Sequence, residues 1–149
     1  MIRVFLDANV YFAGCVSPQG GSALVLQLAR RGRIQVVASR LVLREADRNL
    51  RRKTHRRNVK AFRQFLTATD LSISATPDDS VLAKYEAVIH PKDVPILAAA
   101  IEAKVDYVVT LDRKHFLTKP VLARAEGIKI LTPGDFLKHL LHHRSLETL

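Results

Sequence analysis

At 149 residues, 48% hydrophobic and 26% charged, the chain has the make-up of a soluble globular protein and is long enough to bury an ordinary core. Its apolar stretches are interrupted by charge well short of a bilayer span, and its single cysteine excludes an intramolecular disulfide or a cysteine-based zinc site. Twenty-four Lys and Arg against fourteen Asp and Glu give a formal charge of +10, which favours a polyanionic partner, nucleic acid above all, over a membrane surface or an acidic protein.

No repeat or low-complexity linker divides the chain, so one domain over residues 1–149 is expected, with a C-terminal helix and tail from about residue 133. Arg3 and Asp7 bracket only three apolar residues, which is not a signal-peptide pattern. A reducing cytoplasm is the expected setting, with no membrane partner.

The first predicted strand is Val4, Phe5 and Leu6, cut off by Asp7. Val10 to Val16 is helix-compatible and ends in a turn cluster at residues 17–21. Ser22 is the expected N-cap of a helix carrying Ala23, Leu24, Leu26, Leu28 and Ala29, with Gly32 as its stop. Residues 34–38 form a second predicted strand, after which Ser39 caps a helix to about Leu50. The alternation of strand and helix favours parallel βαβ units.

A long basic helical stretch runs from Arg40 to Leu66, and Phe62, Phe65 and Leu66 imply that its second half packs. Leu71 to Ala75 reads as a short strand or an extended connection. Residues 77–79 open a further helix carrying Val81, Leu82, Tyr85, Val88 and Ile89, broken at 90–92. A helix then starts from Asp93, with Pro95 tolerated in its first turn. Asp106 to Thr110 is a clear strand leading into Asp112. Residues 120–126 are predicted helical, 128–131 a last strand. Thr132 then caps a C-terminal helix with Pro133 at its first position and Asp135 as the capping-box acid.

Asp7 and Asp112 each follow a strand closely, and Asp93 stands at a helix start. Each alone has an ordinary explanation, because Asp is a common turn former and helix cap. Their coincidence is what matters: in an open parallel sheet, ligands bind in the crevice outside the carboxyl ends of the strands. Glu45 and Asp47 lie roughly 200° apart around one helix and cannot share a face. Leu41 and Val42 place Glu45 at the border of the core-facing stripe, so Glu45 is preferred, though the residues alone leave Asp47 open.

In this order and spacing, the chain resembles the PIN-domain family, in particular the ribonucleases that act as toxins of toxin–antitoxin pairs (VapC-like proteins). The resemblance rests on residues 4–9 (Val-Phe-Leu-Asp-Ala-Asn), Ser39 with Glu45 on the following helix, and Lys92-Asp93 before residues 96–100. The run from Ala103 to Asp112 and the closing residues 130–133 complete it. What it implies is a three-layer α/β/α domain with a central parallel sheet, and a metal-dependent endoribonuclease hydrolysing RNA. Asp7, Glu45, Asp93 and Asp112 match the family's catalytic and metal-binding acids, holding Mg²⁺ or Mn²⁺, with Asn9 and Thr110 supporting them. A cognate antitoxin and a homodimer are further partners the resemblance implies. Two positions depart from the pattern. Leu111 stands where many relatives have Gly, and His115 where many have a second Asp.

Four carboxylates in one crevice repel each other without counter-charge, which hard divalent cations with oxygen ligands supply. Such ions activate water and stabilise a leaving oxygen at a phosphodiester. No Ser/His/Asp or Cys/His constellation competes for the nucleophile role. Arg44, Arg48, Arg51, Arg52, Lys53, Arg56 and Arg57, continued by Lys60 and Arg63, are candidates for holding the phosphate backbone, or for meeting an acidic antitoxin segment. Two rival readings remain. One is a non-catalytic PIN-like RNA- or protein-binding module. The other, a receiver-like phosphoacceptor, is disfavoured because no paired acids end the first strand. Cys15, Tyr11 and Phe12 are expected to pack, and His139 with His143 to lie on a solvated helix.

Overall fold

The computed structural model describes residues 1–125 and 127–147, with side chains to residue 143. Five strands form one parallel sheet: β1 (Arg3–Leu6), β2 (Gln35–Ala38), β3 (Leu71–Ile73), β4 (Tyr107–Val109) and β5 (Lys129–Leu131), in the order β3-β2-β1-β4-β5. Parallel strands covered on both faces are uniformly apolar rather than alternating. β1 follows that rule, with Val4, Phe5 and Leu6 all fully buried at the centre of the sheet.

The helices are α1 (Ala8–Val16), α2 (Gly21–Arg30), α3 (Arg40–Lys53), α4 (Arg56–Ala68), α5 (Asp79–Ala83), α6 (Val94–Glu102), α7 (Arg113–Phe116), α8 (Lys119–Arg124) and α9 (Pro133–Glu147). The first four pack on one another and α9 packs on α2, while α5 packs on α6. The chain winds from β1 outward to β3, then returns across the sheet to β4. Right-handed crossovers therefore put α1–α4 and α5–α6 on opposite faces, giving the expected three layers. α6 is apolar all round, and residues 96–100 are buried throughout.

The strand order reverses between β1 and β4, which stay parallel, and this is the topological switch point of the fold. β1 registers against β4 as far as Leu6 with Val109, and the Asp7 N–H donates to the Val109 carbonyl at 3.0 Å. The next residue on each strand, Asp7 and Thr110, therefore emerges at this point.

Several local expectations are corrected. The N-cap of α2 is Gly20, and Ser22 is buried within the first turn. Gly32 does stop that helix, at a φ of 71° that an L side chain resists. The basic stretch is two helices, because α3 ends at Thr54, whose hydroxyl donates back to the Leu50 carbonyl at 2.7 Å. The helix from Asp79 stops at Ala83, and residues 84–88 form turns. α7 was not anticipated, α8 starts at Lys119, and Glu126 lies outside the described residues.

Others hold. Ser39 Oγ accepts from the Val42 N–H at 3.2 Å, and Thr132 Oγ1 from the Asp135 N–H at 3.2 Å. Phe62 and Phe65 pack edge-on against buried Tyr11, with ring centroids 5.8 and 6.0 Å away. Leu41, expected towards the core, is 45% exposed; Val42, Ala46 and Leu50 form the buried stripe of α3 instead. Cys15 is half-buried against the core.

Candidate functional site

Asp7 ends β1 and caps α1. Its Oδ1 accepts from the Ala8 N–H at 2.8 Å, while Oδ2 accepts from the Thr110 hydroxyl at 2.8 Å and the Asn9 amide at 3.2 Å. Asn9 Oδ1 accepts from the Leu111 N–H at 3.1 Å, and Thr110 Oγ1 from the Asp112 N–H at 3.0 Å. Asn9 and Thr110 thus tie the ends of β1 and β4 together and fix the carboxylate between them. Asp7 is only 6% exposed, and burial pushes its carboxyl up from 3.8 to about 6. The Thr110 and Ala8 hydrogen bonds oppose that rise; the charges of Asp93 and Glu45 add to it.

Asp93 closes a short 3-10 turn (Pro91–Asp93) and stands at the N-cap of α6, yet its side chain makes no capping hydrogen bond. Its carboxylate faces other charges instead. Burial and the neighbouring Asp112 raise its pKa, against His115, Lys92 and His90. Asp112 caps α7 by accepting from the His115 N–H at 3.0 Å. Its Oδ2 stands 2.7 Å from His115 Nδ1. Burial works against ionisation of Asp112, but the His115 N–H and the His115 ring outweigh it and hold this carboxyl below the usual range.

Glu45 completes the set from α3. Asp7, Glu45, Asp93 and Asp112 line one cavity of about 230 Å³, together with Asn9, Phe12, Asn49, Lys53, Lys92 and Ile96. Glu45, Asn49 and Lys53 are spaced four apart, so α3 presents them as one face. Asp47 turns the other way, to Arg51 at 2.8 Å and Arg63 at 3.5 Å. The choice between the two acids is decided by the buried stripe of α3, which fixes its rotation.

A family model described as PIN domain matches residues 3–114. The chain belongs to the PIN domain family. Among solved structures, this PIN domain is similar to VapBC2 from Rickettsia felis bound to a DNA fragment from their promoter, at 14% identity and a TM-score of 0.62, covering 87% of this chain and 97% of that one. PAE2754 from Pyrobaculum aerophilum matches at 14% identity and a TM-score of 0.61, over 95% and 96% of the two chains. FitAcB from Neisseria gonorrhoeae matches at 16% and 0.58, over 87% and 97%. At such identities the likeness is one of fold. Among curated proteins, none matches the sequence.

The cationic residues singled out from the sequence do not form one surface. Lys53 lines the acidic cavity of the PIN domain, joined by Lys92, whose ammonium is 3.9 Å from Glu45. Arg51, Arg56 and Arg57, with Lys60 and Arg63, line a separate groove of about 1000 Å³ between α3 and α4, together with Val59 and Ala68. Arg44, Arg48 and Arg52 are exposed and line neither. The rotation of α3 divides them: Arg51 and Lys53, two residues apart on that helix, lie roughly 200° apart around its axis. Sequence reasoning gave no site role to Asn49, Phe12 or Lys92, and none to the contacts of His115. Only Asn49, one turn from Glu45, and Lys92, next to Asp93, carried a signal that spacing could have found.

PIN domains are generally nucleases that use divalent metals. The donors of this cavity fit such a cation: all four acids offer oxygen, which hard ions prefer, and Asp7 is held in a buried position where its charge needs compensation. No helix among the described residues is long and apolar enough to cross a membrane.

Proposed function

We propose that this PIN domain is a metal-dependent endoribonuclease hydrolysing RNA phosphodiester bonds in the cytoplasm, as the toxin of a toxin–antitoxin pair. The observation that carries the reading is the meeting of Asp7, Glu45, Asp93 and Asp112 on one cavity, with Lys53 and Lys92 on its wall. These acids would hold Mg²⁺ or Mn²⁺, which would supply Lewis-acid activation of water and charge compensation at the phosphate. The protein's own contributions follow from the geometry. Asn9 and Thr110 hold the Asp7 carboxylate in one orientation. Lys53 and Lys92 offset the acidic field that would otherwise repel the RNA backbone. Phe12 and Ile96 give the cavity an apolar wall.

A protein partner is supported by the complexes named VapBC2 and FitAB among the structures of the same fold. The test of the activity is cleavage of single-stranded RNA with Mg²⁺ or Mn²⁺ by the wild type against Asp7→Asn, Asp93→Asn and Asp112→Asn. The wild type is expected to cleave and each variant to lose most of that activity. Equal cleavage by all four would sink the proposal.

A further inference from the structure

His115 is an imidazole set beside two of the cavity's carboxylates. The fold gives it a definite place. α7 opens directly after Asp112, so its third residue turns back over the cap. His115 Nδ1 stands 2.7 Å from Asp112 Oδ2 and 3.7 Å from Asp93 Oδ2. One donor atom from each of the three residues lies within 4.8 Å of the others. Around a metal with bonds of about 2.1 Å, neighbouring ligand atoms are about 3 Å apart, so the three groups are close to a coordination edge as they stand.

Given the metal-dependent reading above, on which this rests, we infer that His115 supplies a nitrogen ligand to a cation shared with Asp93 and Asp112, biasing the site towards Mn²⁺ and the later first-row ions and away from Mg²⁺. Oxygen-only sites suit Mg²⁺, whereas imidazole is a better ligand for first-row transition metals. An imidazole also brings no negative charge to the cation, where a carboxylate ligand would, and this weakens Mg²⁺ further. The same nitrogen already stands 2.7 Å from Asp112 Oδ2, so the two groups converge without rearrangement.

Affinity alone does not separate a ligand from a residue that merely orients one, since removing either costs about 10–100-fold. The decisive experiment is therefore spectroscopic: electron spin-echo modulation of Mn²⁺ bound to the full chain labelled with ¹⁵N-histidine. The wild type is expected to show ¹⁵N coupling, His90→Ala to retain it, and His115→Ala to lose it. His90 is the control because its ring lies 5.4 Å from that of His115, centroid to centroid, while its Nδ1 is engaged by the Lys92 N–H. In parallel, His115→Asp is expected to shift the Mn²⁺ over Mg²⁺ preference towards Mg²⁺ by about tenfold in calorimetric titration.

Mn²⁺ bound without ¹⁵N coupling would overturn the role of His115 while leaving the metal-dependent reading intact. Coupling that survives in His115→Ala would do the same. No binding of any divalent cation by the wild type would overturn both.

Discussion

Replacing Asp7 by Asn removes the most buried charge of the cavity with almost no change of shape. In the wild type the carboxyl is held at about 6, against 3.8 ordinarily, chiefly by burial. Between those values the folded protein keeps a proton that the unfolded chain releases. Its metal-free stability therefore falls as pH rises from about 4 through about 6, and the loss attributable to Asp7 is about 3 kcal/mol. Asn does not titrate, so Asp7→Asn should escape that loss. The substitution also has a cost, because an amide nitrogen in place of Oδ2 can no longer accept from Asn9 and Thr110, worth about 1 kcal/mol. The variant is then expected to be slightly less stable than the wild type near pH 4 and about 2 kcal/mol more stable near pH 8. Urea unfolding in a chelating buffer across this range measures it. A stability difference that stays flat from pH 4 to 8 would refute the reasoning. With Mn²⁺ at about 100 times its Kd, the wild type alone should regain about 2.7 kcal/mol.

The remaining expectations concern packing and charge. Phe62→Ala removes a ring that is 1% exposed and packed edge-on against Tyr11, and should cost about 3–5 kcal/mol in denaturant unfolding; a loss below about 1 kcal/mol would mean that α4 is not anchored there. Tyr11→Phe deletes a buried hydroxyl with no hydrogen-bond partner among the described residues, so stability should hold or rise by about 1 kcal/mol. A clear loss in the same assay would contradict that. Lys53→Ala and Lys92→Ala should each weaken RNA binding and lower the slope of log K against log salt by about 0.7, the increment for one phosphate contact on a single strand. An unchanged slope would remove them from the RNA path. Ser39→Ala, which removes the cap of α3, should cost about 1 kcal/mol in stability.

Much of this was legible before folding. Parallel strands buried on both faces are written as short apolar runs, so β1, β2, β4 and β5 could be located within a residue or two. Asp7 and Asp112 follow two of those runs, and that adjacency is a local property of the chain. Less regular segments were harder. The helix after Asp79 was drawn too long because apolar spacing continues to Ile89, although residues 84–88 turn instead. The N-cap of α2 was misplaced by two residues because a serine is the commoner cap, whereas Gly20 meets the backbone requirement with no side chain at all.

By itself the sequence determined the strand–helix alternation, the caps at Ser39 and Thr132, the acids at the strand ends and the excess of positive charge, all of which depend on neighbours in the chain. Only the tertiary structure decided what those acids share. The order β3-β2-β1-β4-β5 brings Asp7 beside Thr110 across about a hundred residues of chain. The rotation of α3 sends Glu45 to the cavity and Asp47 to Arg51. The same rotation sends Lys53 to the cavity and Arg51 to a separate groove, and the start of α7 folds His115 back onto Asp112 and towards Asp93. The reason is physical: hydrogen bonding and apolar periodicity act between near neighbours, but electrostatics and coordination act through space, and only the packed sheet sets those distances.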